Sequence, residues 1–308
     1  PLHLGHIRNN LIGQAMGNIL QAMGNKVVRV NLINDRGIHI CKTMLAWQKW
    51  ANGETPQSAN MKGDHYVGTL YVRFEQELQK EIAELKSKSL SDEEAMQQSD
   101  LMNEARELLI KWEQNSPEIR NIWKMMNDWV LSGFAETYNR MGTTFDKYYF
   151  ESDTYIYGKE IVMQGLEKGV FYKNDTNAIV VDLTDKGLDE KILLRSDGTS
   201  VYITQDLGTA VKRHEEWNAK QMIYVVGNEQ NYHFQVLKQT LLKVGYDFAN
   251  EIVHMSYGMV ELPDGKMKSR EGKVVDADDL MEDMFLTASQ IAEEAGKAVL
   301  LPEEQKKK

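Results

Sequence analysis

The chain contains one cysteine, Cys41, among 308 residues. An internal disulfide is therefore excluded, and the usage fits a reducing, cytoplasmic setting. No run of about 18 apolar residues occurs, so no membrane-spanning helix is expected. The sequence opens Pro1-Leu2-His3, without a methionine or a signal peptide, and is read as a fragment of a longer protein. Repeats and low-complexity segments are lacking. So is excess positive charge: the net charge is −10, the wrong sign for a chain that coats nucleic acid throughout. A local basic patch remains open, with Lys212, Arg213, Lys266, Lys268, Arg270 and Lys273 as its candidates. Lys306-Lys307-Lys308 reads as a solvated helix start rather than a binding arm.

What is present is ordinary for a globular protein: 42% hydrophobic and 27% charged residues. The length allows two domains, or one large α/β domain with an insertion. Ile7, Leu11, Ala15, Ile19, Ala22 and Met23 recur at helical spacing, and Gly24-Asn25 supplies a stop. Residues 26–33 (KVVRVNLI) then read as a buried strand. Asn34-Asp35-Arg36-Gly37 breaks it, and a helix is expected from Ile38 to Trp50. A helix running into a hydrophobic strand is half of a βαβ unit; the strand expected before that helix lies outside this sequence.

Residues 60–145 change character. Phe74, Leu78, Ile82 and Leu85 mark one amphipathic helix. Ser91-Asp92-Glu93-Glu94 caps a second, and Ser116-Pro117 starts a third, with Ile119, Ile122, Trp123, Met126, Val130 and Phe134 on one face. Their Met and Trp residues read as core. From 150 to 204 the period shifts toward two, predicting strands over 178–183 and 191–194 and a Ser196-Asp197-Gly198 turn into a strand over 199–204. Helices at about 207–217 and 232–244 then alternate with strands at 221–226 and 252–258. The expected fold is α/β: a Rossmann-like parallel-sheet nucleotide-binding core over 1–60 and 200–275, interrupted by a helical and β insertion over 61–199. Residues 276–308 begin a helical stem.

Two segments carry chemistry. His3-Leu4-Gly5-His6 opens the first helix, so two imidazoles sit beside a helix N-terminus. Free N–H groups and the positive dipole end attract phosphate there, and Gly5 lets a nucleotide approach. Imidazoles can donate hydrogen bonds to a phosphate whose charge grows in the transition state. As zinc ligands the pair lacks a completing cluster, since only His39 and Cys41 stand near in sequence, and no metal is expected. Near the other end, Pro263-Asp264-Gly265 turns into Lys266-Met267-Lys268-Ser269-Arg270-Glu271-Gly272-Lys273. Its four cations could close over a triphosphate and neutralise departing pyrophosphate; a solvated charged turn is the plainer reading of this loop alone.

Together the two segments resemble the paired His-x-Gly-His and Lys-Met-Ser-Lys-Ser signatures of class I aminoacyl-tRNA synthetases, with an insertion between them. Within that class, the stretch from Pro1 to Asn9 resembles the arginyl-tRNA synthetases. Asn31 to Gly37 is similar to that family's Asn-x-x-Gly-Asp-Trp-Gly loop, with Asn34 and Arg36 replacing Gly and Trp. Tyr202-Ile203-Thr204-Gln205-Asp206 is similar to its Tyr-x-x-Arg-Asp element, with Gln205 replacing Arg. Gly227 to His233 and Tyr257 to Val260 resemble its Gln-rich stretch and adenosine-side strand. Outside the variable helical segment, the resemblance covers nearly the whole chain.

The resemblance implies roles residue by residue. His3, Gly5, His6, Met259, Val260, Lys266, Lys268 and Ser269 would bind ATP. His3, His6, Lys266, Lys268 and Arg270 would act in catalysis, with Lys273 a further candidate for pyrophosphate because Ser269 stands where the second lysine usually does. Tyr202, Asp206 and Gln230 would hold the arginine side chain, and a carboxylate is the natural partner of a planar guanidinium. Taken singly, Asp206 also reads as a helix N-cap, Tyr202 as a strand aromatic, and Gln230 as unremarkable. The implied activity is two-step ligation by a monomer: arginine is activated with ATP, whose Mg²⁺ comes with the nucleotide, and passed to the 2′ oxygen of the terminal adenosine of tRNA(Arg). The resemblance further implies a role for bound tRNA in the first step. Activity toward another amino acid, or an inert ATP- or tRNA-binding piece, are the other readings.

Overall fold

The structure, a computed structural model, describes residues 1–262, 265–266 and 275–295. It divides into two compact units, residues 1–8, 37–143 and 260–308 forming one and residues 9–36 and 144–259 the other. The helical part of the expected 61–199 insertion belongs to the first unit and its later part to the second.

The first unit is helical. It holds the first turn of α1 (Leu4–Ala22), then α2 (Ile38–Trp50), α3 (Gly63–Lys86), α4 (Asp92–Gln98), α5 (Asp100–Glu113) and α6 (Pro117–Met141), and later α10 (Ala277–Glu294). Helix α3 buries Tyr66, Leu70, Phe74, Leu78 and Ile82, the one-face spacing read from the sequence. Gly63 and Gly133 let α3 and α6 touch backbone to backbone: a Cβ on Gly63 would stand 2.1 Å from the Trp129 carbonyl oxygen. Trp112 and Met126 are core, as expected. One helix was expected from Ser91 onward, and two form. Ser99 ends α4 and caps α5, its Oγ accepting from Met102 N (3.1 Å) and donating to Glu81 (2.8 Å). Glu81 also accepts from Asp100 N, a cap supplied by another helix that no local pattern announces.

The second unit is α/β. Strands β1 (Val30–Ile33) and β2 (Lys147–Phe150) pair in parallel, Val30 opposite Lys147 and Ile33 opposite Phe150. Helix α7 (Glu151–Glu167) follows, then the antiparallel β3 (Tyr172–Lys173), β4 (Ile179–Val181) and β5 (Lys191–Leu194). Helix α8 (Tyr202–Trp217) leads to β6 (Met222–Gly227), α9 (Asn231–Val244) and β7 (Ile252–Tyr257), in which β6 and β7 pair in parallel from Met222↔Ile252 to Gly227↔Tyr257. The core gathers Ile161, Val162, Leu193, Leu207, Leu237 and Leu241 from these elements. A short hairpin, β8 (Glu261–Leu262) with β9 (Gly265–Lys266), follows β7 in the chain and belongs to the first unit.

Three expectations need correction. The strand over 26–33 is only β1, because Arg29 N is taken by Asp146 Oδ2 (2.6 Å) and the Arg29 side chain lies on Gly17 of α1. Residues 151–167 form a helix rather than period-two structure. Its buried face is Thr154, Gly158, Ile161, Val162 and Gly165, at helical spacing but built from small residues that carry little hydrophobic signal. The strand over 199–204 reduces to one bridge, Leu194↔Ser200, because α8 starts at Tyr202 with Thr204 Oγ1 accepting from Val201 N (3.2 Å). Among the described residues no helix is long and apolar enough to cross a membrane.

Helices α7 and α8 meet through glycine. A Cβ on Gly158 would stand 1.8 Å from the Thr204 carbonyl oxygen, and one on Gly208 2.4 Å from that of Thr154. Between them Thr209 Oγ1 donates to Thr154 Oγ1 at 2.9 Å. The obstacle is backbone, so Gly158→Ala is expected to destabilise the protein by about 1–3 kcal/mol, the usual cost of overpacking. Urea denaturation measures this; an unchanged midpoint would show that the helices part freely.

Candidate functional site

Within the first unit, His3 stands just before α1 and His6 in its first turn. Gly5 N donates to His3 Nδ1 and His3 N donates to His6 Nδ1, both at 3.1 Å. The ring centroids are 3.9 Å apart. With each Nδ1 accepting, the proton of each neutral ring sits on Nε2. Burial, and then the neighbouring His3, push His6 down to about 3. Burial also lowers His3, against the opposing pull of Asp276. Both imidazoles are therefore neutral donors. The free N–H groups expected at this helix start are engaged: Leu4 N donates to Val275 O (2.9 Å), Gly5 N to His3 Nδ1, and His6 N to His3 O (2.7 Å). Donation to an anion thus falls to the rings rather than to these amides.

The bond to Val275 belongs to a larger contact. Ala277 N donates to Leu2 O (3.1 Å), and His3 and Asp276 form an antiparallel bridge. The helix start is thereby paired with the residues that directly follow the cationic segment. Asp276 caps α10, accepting from Asp278 N and Asp279 N. Lys62 Nζ donates to Asp278 Oδ2 (2.6 Å), to Thr137 Oγ1 (2.5 Å) and to Asp64. His65 Nε2 lies 3.3 Å from Asp276 and 3.2 Å from Asp278. Asp64, His65 and Asp278 stand close enough to share a cation, and the Lys62 ammonium lies against both carboxylates. His39 and Cys41 do not join them: His39 Nδ1 is 3.3 Å from Tyr71 OH, and Cys41 is buried.

Of the cationic segment, Lys266 closes the β8–β9 hairpin opposite Glu261. Lys268, Ser269, Arg270 and Lys273 lie outside the described residues, as do Lys306 to Lys308. Met259, exposed, ends the second unit, and Val260, half-buried, begins the return to the first. Of the other basic candidates, Lys212 sits over the Tyr157 ring (4.8 Å) and Arg213 over Tyr149 (5.0 Å), so both are packed on aromatic faces.

In the second unit, Tyr202 and Asp206 share one face of α8, a turn apart. Tyr202 is a helical residue, 66% exposed, rather than a strand aromatic. Nor is Asp206 an N-cap: Val201 holds that position, and Asp206 lies in the helix. Its Oδ2 is 2.6 Å from His233 Nε2, and its side chain keeps 27% exposure. His233 lies in the first turn of α9, and Gln230 ends the 3-10 turn that leads into that helix. Asp206 is thus joined to the segment that carries Gln230.

Residues that the sequence reading assigned no role lie behind Asp206. Asp35, at the end of β1, accepts from Ser152 N (2.9 Å) and Ser152 Oγ (2.6 Å), so it caps α7 from the neighbouring strand. The Arg36 guanidinium stacks on Tyr155 at 4.0 Å. The Gln205 amide, turned to satisfy both neighbours, accepts from Arg36 Nη1 (3.0 Å) and donates to Glu151 Oε2 (3.2 Å). Burial, followed by the charges of Asp206 and Asp35, pushes Glu151 up to about 8, with Arg36 pulling the other way. Glu151 was hidden because its helix falls in a stretch whose sequence period reads as two. Arg36 and Gln205 had been noticed only as departures from a pattern.

The family model for class I tRNA synthetases (R), catalytic domain, matches residues 1–308. The arginine–tRNA ligases of Bacteroides fragilis and Bacteroides thetaiotaomicron are each 60% identical over 305 residues, covering 99% of this chain and 51% of the relative. The chain therefore spans about half the length of the curated relatives it matches. Among solved structures, the arginyl-tRNA synthetase of Thermus thermophilus superposes with TM-score 0.70 at 20% identity, covering 99% of this chain and 53% of that one. That of Plasmodium falciparum gives 0.70 at 17% identity, covering 96% and 45%. These structural likenesses speak for the fold, a mixed α/β domain with parallel strands and many helices. With a match that runs from first residue to last, the chain belongs to the class I tRNA synthetase (R) catalytic-domain family.

Proposed function

We propose that this domain activates L-arginine with ATP and transfers it to the terminal adenosine of tRNA(Arg). The observation that carries the reading is the pairing of Leu2 and Leu4 with Ala277 and Val275, which sets the two neutral imidazoles beside the exit of the cationic segment. The arginine–tRNA ligase names of the 60%-identical relatives support the choice of amino acid.

In the first step a carboxylate oxygen of arginine attacks the α-phosphorus of ATP in line. The bond to the bridging oxygen breaks, and pyrophosphate leaves with the electron pair. His3 and His6 donate Nε2–H to phosphate oxygens as their charge grows, and neutral rings do so without needing a proton from solvent. Gly5 leaves room for the nucleotide, Met259 and Val260 line its adenosine, and Lys266, Lys268, Ser269 and Arg270 meet the leaving pyrophosphate, with Mg²⁺ arriving on the nucleotide. In the second unit Asp206 accepts from the substrate guanidinium, Tyr202 packs along its side chain, and Gln230 completes the polar contacts. In the second step the 2′-hydroxyl oxygen of the tRNA adenosine attacks the acyl carbon and gives up its proton, and AMP departs with the electron pair of the broken acyl–oxygen bond. No covalent enzyme intermediate is required, so positioning and charge stabilisation supply the rate. The protein is read as a cytoplasmic monomer.

Two variants of the full-length protein test this, with tRNA present. His6→Ala should leave the fold intact and slow ATP–pyrophosphate exchange by about 10² or more, the scale of one lost oxyanion-type donor. A rate within twofold of the parent would remove the phosphate role. Asp206→Asn should raise KM for arginine by about tenfold or more while KM for ATP stays within about twofold, since the carboxylate answers a charged guanidinium. Equal effects on both substrates would sink the assignment.

A further inference from the structure

Arg36 and Gln205 are both departures from the arginyl-tRNA synthetase pattern, and they touch. Arg36 comes from the loop after β1, Gln205 from the first turn of α8, and the guanidinium donates to the amide oxygen at 3.0 Å. Arg36 is 9% exposed, and a guanidinium so buried has to be balanced by acids and hydrogen bonds. The acids nearby are Asp35, Glu151 and Asp206, which all act on the same small region. The guanidinium that the pattern places at position 205 has thus been supplied from position 36, with Gln205 left as the link between it and Glu151.

We infer that Arg36 is a positioning residue for cation recognition: through Gln205 it fixes the turn of α8 that presents Asp206 and supplies the guanidinium that balances the acids behind it. This rests on the reading of Asp206 as the partner of the substrate guanidinium. Gln205 directly precedes Asp206, so any tilt of the Gln205 peptide is passed to the carboxylate. Glu151 is tied to the same amide, and the first turn of α7 that bears it is capped by Asp35, the neighbour of Arg36. Loop, α7 and α8 are therefore locked at one point. Glu151 is already pushed up to about 8, so what the loss of Arg36 removes is the hydrogen bond that holds Gln205 and the cation that faces these acids. Freed of that link, the first turn of α8 can turn Asp206 away, which weakens the hold on a cationic substrate. Phosphate chemistry in the first unit involves none of these groups.

The test is to titrate arginine and ATP separately into the full-length protein, following thermal stability alongside. Arg36→Met should weaken arginine by about tenfold or more, within the range for coupled buried groups, and leave ATP within about twofold. The exchanged pair Arg36→Gln with Gln205→Arg should recover most of the arginine affinity that Arg36→Gln alone loses. Should Arg36→Met fail to fold, Arg36→Lys keeps the charge but loses the fork and should show the same selectivity to a smaller degree. The inference is overturned if the folded variant binds arginine as well as the parent, if arginine and ATP weaken equally, or if the exchanged pair is no better than Arg36→Gln alone. Should Asp206→Asn remain selective for arginine while the Arg36 variants do not, this inference falls and the reading of the site stands. Loss of selectivity in Asp206→Asn itself removes the reading.

Discussion

Two backbone hydrogen bonds, Leu4 N to Val275 O and Ala277 N to Leu2 O, join stretches that the sequence holds far apart. Each is worth only about 1 kcal/mol net in water. Their importance is geometric, because an antiparallel bridge at His3 and Asp276 fixes register as well as distance. The pairing is braced by charge. Asp276 caps α10, and Lys62, just before α3, donates to Asp278. A lysine at the edge of a solvated surface contributes little. Lys62 is mostly buried among two carboxylates and a threonine, where leaving any partner unmatched is costly. The chain therefore leaves its cationic segment at a defined place, with two neutral rings beside it.

In the second unit the corresponding constraint is steric. Helices α7 and α8 approach until carbonyl oxygens face glycine Cα atoms, an arrangement that no side chain larger than hydrogen permits at Gly158. Close approach brings Glu151, at the start of α7, near Gln205 and Asp206 on α8. Asp35 then ties the start of α7 to the end of β1, whose partner strand β2 runs straight into that helix. Strand pairing, a cap supplied from the neighbouring strand and a glycine contact thus converge on one acidic side chain.

Long amphipathic helices and the βαβ unit β6–α9–β7 were legible because burial there uses large apolar side chains whose spacing reveals the period. Helix α7 was not legible, since its buried face is threonine, glycine and only two aliphatic residues. The break between α4 and α5 was missed for a related reason: Glu81, in another helix, provides part of the cap. Among the candidate site residues, His3, His6 and Asp206 stood in motifs. Their protonation, hydrogen-bonding roles and partners did not. The amides of the first helix turn were expected to be open to an anion, and the bonds to Val275 and to the His3 ring occupy them, which only long-range pairing could reveal. Asp35, Arg36 and Glu151 form a cluster from segments distant in sequence, so no local pattern could have assembled it.

Charge is what such a cluster would contribute to the proposed site for a cation. A single carboxylate in contact with solvent attracts any cation weakly, because water screens it. Asp206 keeps 27% of its side chain exposed, is joined to His233 and acts electrostatically on Glu151. Glu151, pushed up to about 8, is largely protonated at neutral pH and adds little negative charge, and Arg36 is the cation set against this group of acids. In the proposed reading, Arg36 and Gln205 hold the first turns of α7 and α8 together, and Asp206, part open and joined to His233, is the side chain offered to a charged, planar group.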